Sequence, residues 1–93
     1  MKNVFVIPMK SDRGNIVHNQ YTIITDEGKY FQSYESIIAF IPDEPKDGVK
    51  LILGKYWDYS RTTSKYRHKF MPYTKDEILK MLESGEAIIN EDW

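Results

Sequence analysis

Residues 57–70 read WDYSRTTSKYRHKF, a dense run of side chains able to do chemistry. It holds four cations, Arg61, Lys65, Arg67 and Lys69. Beside them stand Trp57, Tyr59, Tyr66 and Phe70, and His68 is one of two histidines in the chain. Three chemistries use such a set. Cations interleaved with rings hold phosphates and stack bases. Tyr, Trp and Arg are also the residues that anchor protein–protein contacts. Tyr, His, Arg and Lys together can act as acid, base and phosphate clamp in RNA cleavage.

Secondary structure decides among these. Wound as a helix at about 100° per residue, Arg61 to Phe70 puts Thr62, Tyr66 and Phe70 on one side, with Thr63 close by. Arg61, Ser64, Lys65 and His68 fall on the other, Lys69 lies at a margin, and Arg67 sits alone on the opposite flank. Asp58 or Ser60 supplies the N-cap. The plain reading is that Tyr66 and Phe70 anchor the helix on a sheet while the cations face water. The candidate binding surface is Tyr56, Trp57, Tyr59, Arg61, Lys65, His68 and Lys69. On a helix Tyr66 and His68 point about 200° apart, which disperses a ribonuclease site. Two adjacent threonines weaken the helix, and a strand over Lys65 to Phe70 would bring Tyr66 and His68 onto one face.

The other reactive residues give less. His18 lies in a strand-like run, and two histidines fifty residues apart without carboxylate spacing make no recognisable metal site. Gly28, Gly48 and Gly54 follow single-turn logic and form no phosphate loop. Ser, His and Asp occur without a nucleophile-elbow pattern. The acidic stretch Asp43, Glu44, Asp47, interrupted by Lys46, reads as a solvated loop. No catalytic residue, metal or cofactor is assigned.

The totals bound the class. Ninety-three residues, 41% hydrophobic and 29% charged, suit one globular domain over 1–93. A net charge of -1 provides no global field toward nucleic acid or membrane. The absence of cysteine removes disulfides and thiol chemistry and fits a reducing compartment. The four-residue apolar run near the N-terminus is too short for a signal peptide, and none is long enough to span a membrane. A cytoplasmic protein with no membrane partner is expected.

These residues need elements to position them. Val4 to Ile7 reads as a first strand closed by Pro8, and Ser11 to Asn15 as a turn. Ile16 to Thr25 is a second strand. Asp26-Glu27-Gly28 then reads as a three-residue hairpin loop with Gly28 left-handed. Ser36 to Ile41 continues the strand through Tyr30 after a kink or bulge near Ser33 to Glu35. Pro42 to Gly48 is a loop, and Val49 to Leu53 a further antiparallel strand. Thr74 and Glu77 form a capping box for a helix that Gly85 ends, and Ala87 to Asn90 is a short edge strand. The fold expected is α+β: an antiparallel sheet of four to five strands with two helices packed on one face. Its core is expected to hold Val4, Val6, Ile23, Phe31, Ile38, Phe40, Leu51, Leu53, Tyr66, Phe70, Ile78 and Leu82.

Two stretches, GKYFQSYESIIAFI (28–41) and WDYSRTTSKYRHKFM (57–71), resemble a family of small uncharacterised proteins of bacteriophages and mobile elements of low-GC Gram-positive bacteria. The likeness extends to Glu77, Ile78 and Gly85 and covers about residues 20–89. Loop 42–48 is longer here than the usual turn. The resemblance implies no activity. It implies a non-enzymatic protein that binds and modulates or inhibits a host protein, such as a defence factor. A nucleic-acid-binding regulator using residues 55–70 and a small ribonuclease toxin are the alternatives.

Overall fold

The computed structural model describes residues 3–93. Strands β1 (Val4–Lys10), β2 (Ile16–Thr25), β3 (Gly28–Ser33), β4 (Ser36–Pro42) and β5 (Leu51–Gly54) come first. Helices α1 (Arg61–Phe70) and α2 (Lys75–Ser84) and strand β6 (Ala87–Asn90) follow. The six strands form one sheet in chain order, β1-β2-β3-β4-β5-β6. The first five pair antiparallel, as expected, but β6 lies parallel to β5. The expected four to five antiparallel strands are therefore corrected to six in a mixed sheet. The two helices form the crossover that a parallel neighbour requires.

The extra strand arises at Tyr34. The chain does not run on through a bulge at Ser33 to Glu35; it reverses there. Ser33 pairs with Ser36 across a two-residue turn, and Tyr34 has φ 55°. That conformation is rare for a residue with a large side chain. The irregularity lies before the turn, at Phe31–Gln32, where Ile38 of β4 is left out of the ladder. The Asp26 hairpin is also tighter than expected. Gly28 opens β3 opposite Pro42, at φ 153° and outside the left-handed helical well. A Cβ there would come within 2.3 Å of the Ile41 carbonyl oxygen, so close approach fixes the glycine. Thr25 Oγ1 ties the turn by accepting from the Glu27 and Gly28 N–H groups.

Register assigns the faces. Both helices cover the side carrying Phe31, Ala39, Leu51, Leu53 and Ala87, all buried. Tyr66, Ile78 and Met81 meet them from the helices and Met71 from the C-terminal cap of α1. The Phe31 and Phe70 rings stack at 5.7 Å. The opposite face carries Val6, Ile23, Tyr30, Phe40, Ile52 and Ile88, one residue per strand in a single cross-sheet row. Tyr30 stacks on Phe40 at 4.3 Å and Trp93 leans on Tyr30 at 5.9 Å. Of the expected core, Phe31, Ile38, Phe40, Leu51, Leu53, Tyr66 and Ile78 are buried. Val4 and Val6 are not, at 52% and 59% exposed, because they sit on edge strand β1 and on the face opposite the helices.

Local rules account for the second half. Thr74 Oγ1 accepts from the Glu77 N–H and Glu77 Oε1 accepts from the Thr74 N–H, completing the capping box. Gly85 closes α2 at φ 85°. The Glu86 carbonyl then accepts from the Lys50 and Leu51 N–H groups, which starts the parallel pairing. Lys50 also bridges the Glu86 carboxylate at 3.0 Å. Among the described residues no helix is long and apolar enough to cross a membrane.

Three exposed carboxyl groups titrate below their ordinary values. Asp12 is held down chiefly by the hydrogen bond from Lys69, Glu77 by the Thr74 backbone N–H, and Glu86 by the hydrogen bond from Lys50. Each is charged more readily folded than unfolded, so each stabilises the fold above about pH 4. That stabilisation is lost as pH falls through the lowered values, where the unfolded chain binds protons first. Urea midpoints are expected to be level from pH 7 to about 5 and to fall below about 4. Asp12→Asn is expected to make the acid limb shallower.

Candidate functional site

The residues that bring the site together begin at the end of β5. Trp57 N–H bonds to the Gly54 carbonyl and Tyr59 N–H to the Tyr56 carbonyl, so 54–59 is two successive turns. Ser60 caps α1: its Oγ accepts from the Thr63 N–H at 3.1 Å. Of the two expected caps it is Ser60 that serves.

Beneath α1 lies a cation. Arg67 was expected on a solvent flank but is 4% exposed. Its Nη1 donates to the Trp57 carbonyl at 2.6 Å and lies 3.6 Å from Asp58 Oδ1, and its guanidinium sits 5.1 Å from the Trp57 ring. Asp58 Oδ2 also takes Lys75 Nζ at 2.7 Å. Burial pulls the Arg67 pKa down and Asp58 opposes it. Trp57 is accordingly withdrawn from the expected binding surface, at 9% exposed. A ring that packs on a buried guanidinium is not free to stack on a ligand. On the same helix Thr62 is exposed and Thr63 takes the inward place.

The clamp turns its neighbours outward. Tyr56 and Tyr59 are 43% and 76% exposed, with ring centroids 5.4 Å apart, edge to face. They border a cavity of about 360 Å³ lined also by Ser33, Tyr34, Ser36, Ile38 and Thr63. Its floor is polar: Ser33 Oγ and Thr63 Oγ1 are 3.3 Å apart. Tyr34, 57% exposed, is held at its rim by donating its N–H to Asn19, itself at φ 66°. Backbone strain of this kind concentrates at functional sites. Beside the floor Gln20, the cross-strand partner of Ser33, is fully buried, and neither end of its amide has a hydrogen-bond partner.

The remaining expected residues lie on the outer face of α1. Arg61, Lys65, His68 and Lys69 are exposed. Asp12, from the β1–β2 turn, bonds Lys69 and lies 4.0 Å from Lys65, so part of the basic face is already paired. Tyr66 is buried under the helix while His68 is on its surface, so the two do not converge. Among the described residues no cluster of His, Asp or Glu is placed to hold a metal ion. Sequence reasoning missed Ser33, Tyr34, Ser36 and Thr63. Only the aromatic-Gln-Ser-Tyr run, 31–34, marked that corner.

Residues 6–86 match DUF8033, a family of unknown function. The chain belongs to this family. Among curated proteins and among solved structures nothing matches. The DUF8033 match spans every residue of the cavity and of the outer α1 face, and it leaves Trp93 outside.

Two substitutions test how this DUF8033 domain holds its site. Arg67→Ala strands the Trp57 carbonyl and empties the space against the Trp57 ring, and is expected to destabilise by about 2 kcal/mol and to lower Tm by about 8–16 °C. Gln20→Leu removes two unpaired polar atoms at similar volume. It is expected to stabilise by about 1 kcal/mol and to raise Tm by about 4–8 °C. A fall in Tm would show that the amide is paired in the folded protein.

Proposed function

We propose that this protein is a non-enzymatic binding module that docks a protein partner on the tyrosine-bordered cavity, with the outer face of α1 as the flanking contact. The observation that carries the reading is the exposed Tyr56–Tyr59 pair at the mouth of a hydroxyl-floored cavity, beside a strained Tyr34. Tyrosine gives large contact area at low entropic cost and retains a polar tip. A cavity of about 360 Å³ is of a size to take one or two anchoring side chains. The hydroxyls of Ser33, Ser36 and Thr63 in its lining supply polar contacts beside the rings.

The sharing of Asp12 by Lys65 and Lys69 favours protein over nucleic acid, because a phosphate would compete with a carboxylate already in place. On the bacteriophage resemblance the partner is a protein of the bacterial host, and docking modulates or inhibits it. An anti-defence role is the form this takes if the host protein is a defence factor.

The test is affinity capture from bacterial lysate, with and without nuclease, using wild type and a Tyr56→Ala/Tyr59→Ala variant of matched Tm. A partner retained after nuclease by wild type, and at least ten-fold less by the variant, is expected, since anchoring residues are worth about 2 kcal/mol or more. Capture abolished by nuclease, or falling steeply between about 50 and 200 mM salt, would place nucleic acid there instead. Equal capture by the variant would dismiss the cavity.

A further inference from the structure

The lining of the tyrosine-bordered cavity carries no charge. Its polar groups are the hydroxyls of Ser33, Ser36, Thr63 and the tyrosines, and each can both donate and accept. A cation entering would meet Lys55, whose Nζ already lies 5.4 Å from the Tyr56 ring centroid. An anion would find no cation in the lining to offset its lost hydration. The wall therefore selects an uncharged polar group.

Beside the floor one polar group is left incomplete. Gln20 is 0% exposed, and neither its Nε2 nor its Oε1 has a hydrogen-bond partner among the described residues. Buried polar atoms in folded proteins are paired in the large majority. Gln20 lies opposite Ser33 across β2 and β3, so their Cβ atoms are about 5 Å apart on the helix side of the sheet. Ser33 Oγ is 3.3 Å from Thr63 Oγ1, which accepts from Ser60 Oγ at 3.1 Å. The hydroxyls satisfy one another in a chain that ends at Ser33, one strand from the amide. Two left-handed residues bound the pair, Asn19 before Gln20 and Tyr34 after Ser33.

We infer that the cavity receives a carboxamide, the side chain of an asparagine or glutamine of the docking partner, and that Gln20 selects it. The inference rests on the reading of the cavity as a docking site and names the group that enters. Gln20 leaves one donor side and one acceptor side unmet. A second primary amide complements both, each N–H meeting the other's carbonyl. A carboxylate brings acceptors only and sets oxygen against Gln20 Oε1. An ammonium brings donors only and leaves Gln20 Nε2 unmet. Tyr34 is the part that moves to admit the group. It stands at the rim, next to Ser33, and loses strain by leaving its φ of 55°.

NMR titration of the nitrogen-15-labelled full chain tests this. The probes are N-acetylglutamine methylamide and its glutamate and norleucine analogues, at neutral pH over about 0.1–20 mM, the weak range proper to so small a ligand. The glutamine probe is expected to shift the Gln20 side-chain amide signal together with the Ser33 and Thr63 backbone signals. It is expected to bind at least about ten-fold more tightly than either analogue, because a site with unmet polar valency rejects a group that cannot fill it. Gln20→Leu is expected to stay folded with a raised Tm and to bind the glutamine and norleucine probes alike. A purely structural Gln20 would leave the preference intact. Equal binding of an analogue by wild type overturns the inference, as does no binding of the glutamine probe. So does a Gln20→Leu variant that keeps the preference or melts lower, since an amide paired within the fold has no valency for a ligand. Lysate capture that still depends on Tyr56 and Tyr59 while the glutamine probe fails removes the carboxamide alone and leaves the docking site standing.

Discussion

One buried cation organises this end of the molecule. Arg67 has surrendered water for a carbonyl, a ring and half of a carboxylate. Such burial is seldom favourable in itself, because desolvation offsets most of the Coulombic gain. What it secures is position. The guanidinium fixes the Trp57 carbonyl and the Trp57 ring at once, so the turns of 54–59 have little freedom. Tyr56 and Tyr59 are left with no inward direction to take. Asp58, shared with Lys75, couples the clamp to the first turn of α2. A Lys at 67 would keep the charge and lose the planar guanidinium that lies against the Trp57 ring.

The two sides of the sheet invert the usual distribution of polarity. Under α1 the helix-facing layer contains Gln20, Ser33, Thr63 and Arg67, all buried and polar or charged. The open side bears a row of aliphatic and aromatic residues. Each departure has a cost: desolvation of polar groups on one side, exposed apolar surface on the other. Natural proteins tolerate such costs where something other than stability depends on them. The polar layer adjoins the cavity, and the apolar row carries Trp93 against Tyr30. The two features thus mark two separate surfaces, on opposite faces of one thin sheet.

Much of the fold was legible because local signals carry it. The Thr74–Glu77 capping box, the glycine at 85, the turn at 11–15 and the basic helix at 61–70 each follow from a few neighbouring residues. The misses share a different cause. Tyr34 occupies a turn position where glycine or asparagine is usual, so no composition rule marks the reversal, and one strand was read where two exist. Arg67 was placed outward because helical periodicity weighs charge as exposure, and Trp57 because its residue type suits a contact surface. Only a tertiary partner, ten residues earlier in the chain, reverses that. The parallel β6 depends on where α2 delivers the chain, which no four-residue run encodes. At the candidate site the rings of 56–59 were legible as types. The cavity they border was not, since its floor comes from Ser33 and Thr63, thirty residues apart.

Strain and unpaired polarity meet at the same corner. Asn19 and Tyr34, both left-handed, hydrogen-bond to one another immediately beside the Gln20–Ser33 pair. Glycine at 34 would relax the turn, and an aliphatic residue at 20 would remove two unpaired atoms. A sequence shaped only for stability would have taken either step. Keeping a tyrosine there puts an aromatic ring at the cavity rim, and keeping an amide beneath leaves polar valency next to its floor. Stability withheld at one place, while the helix caps elsewhere are made with full complement, is the pattern expected where a surface is held ready for something else to complete it.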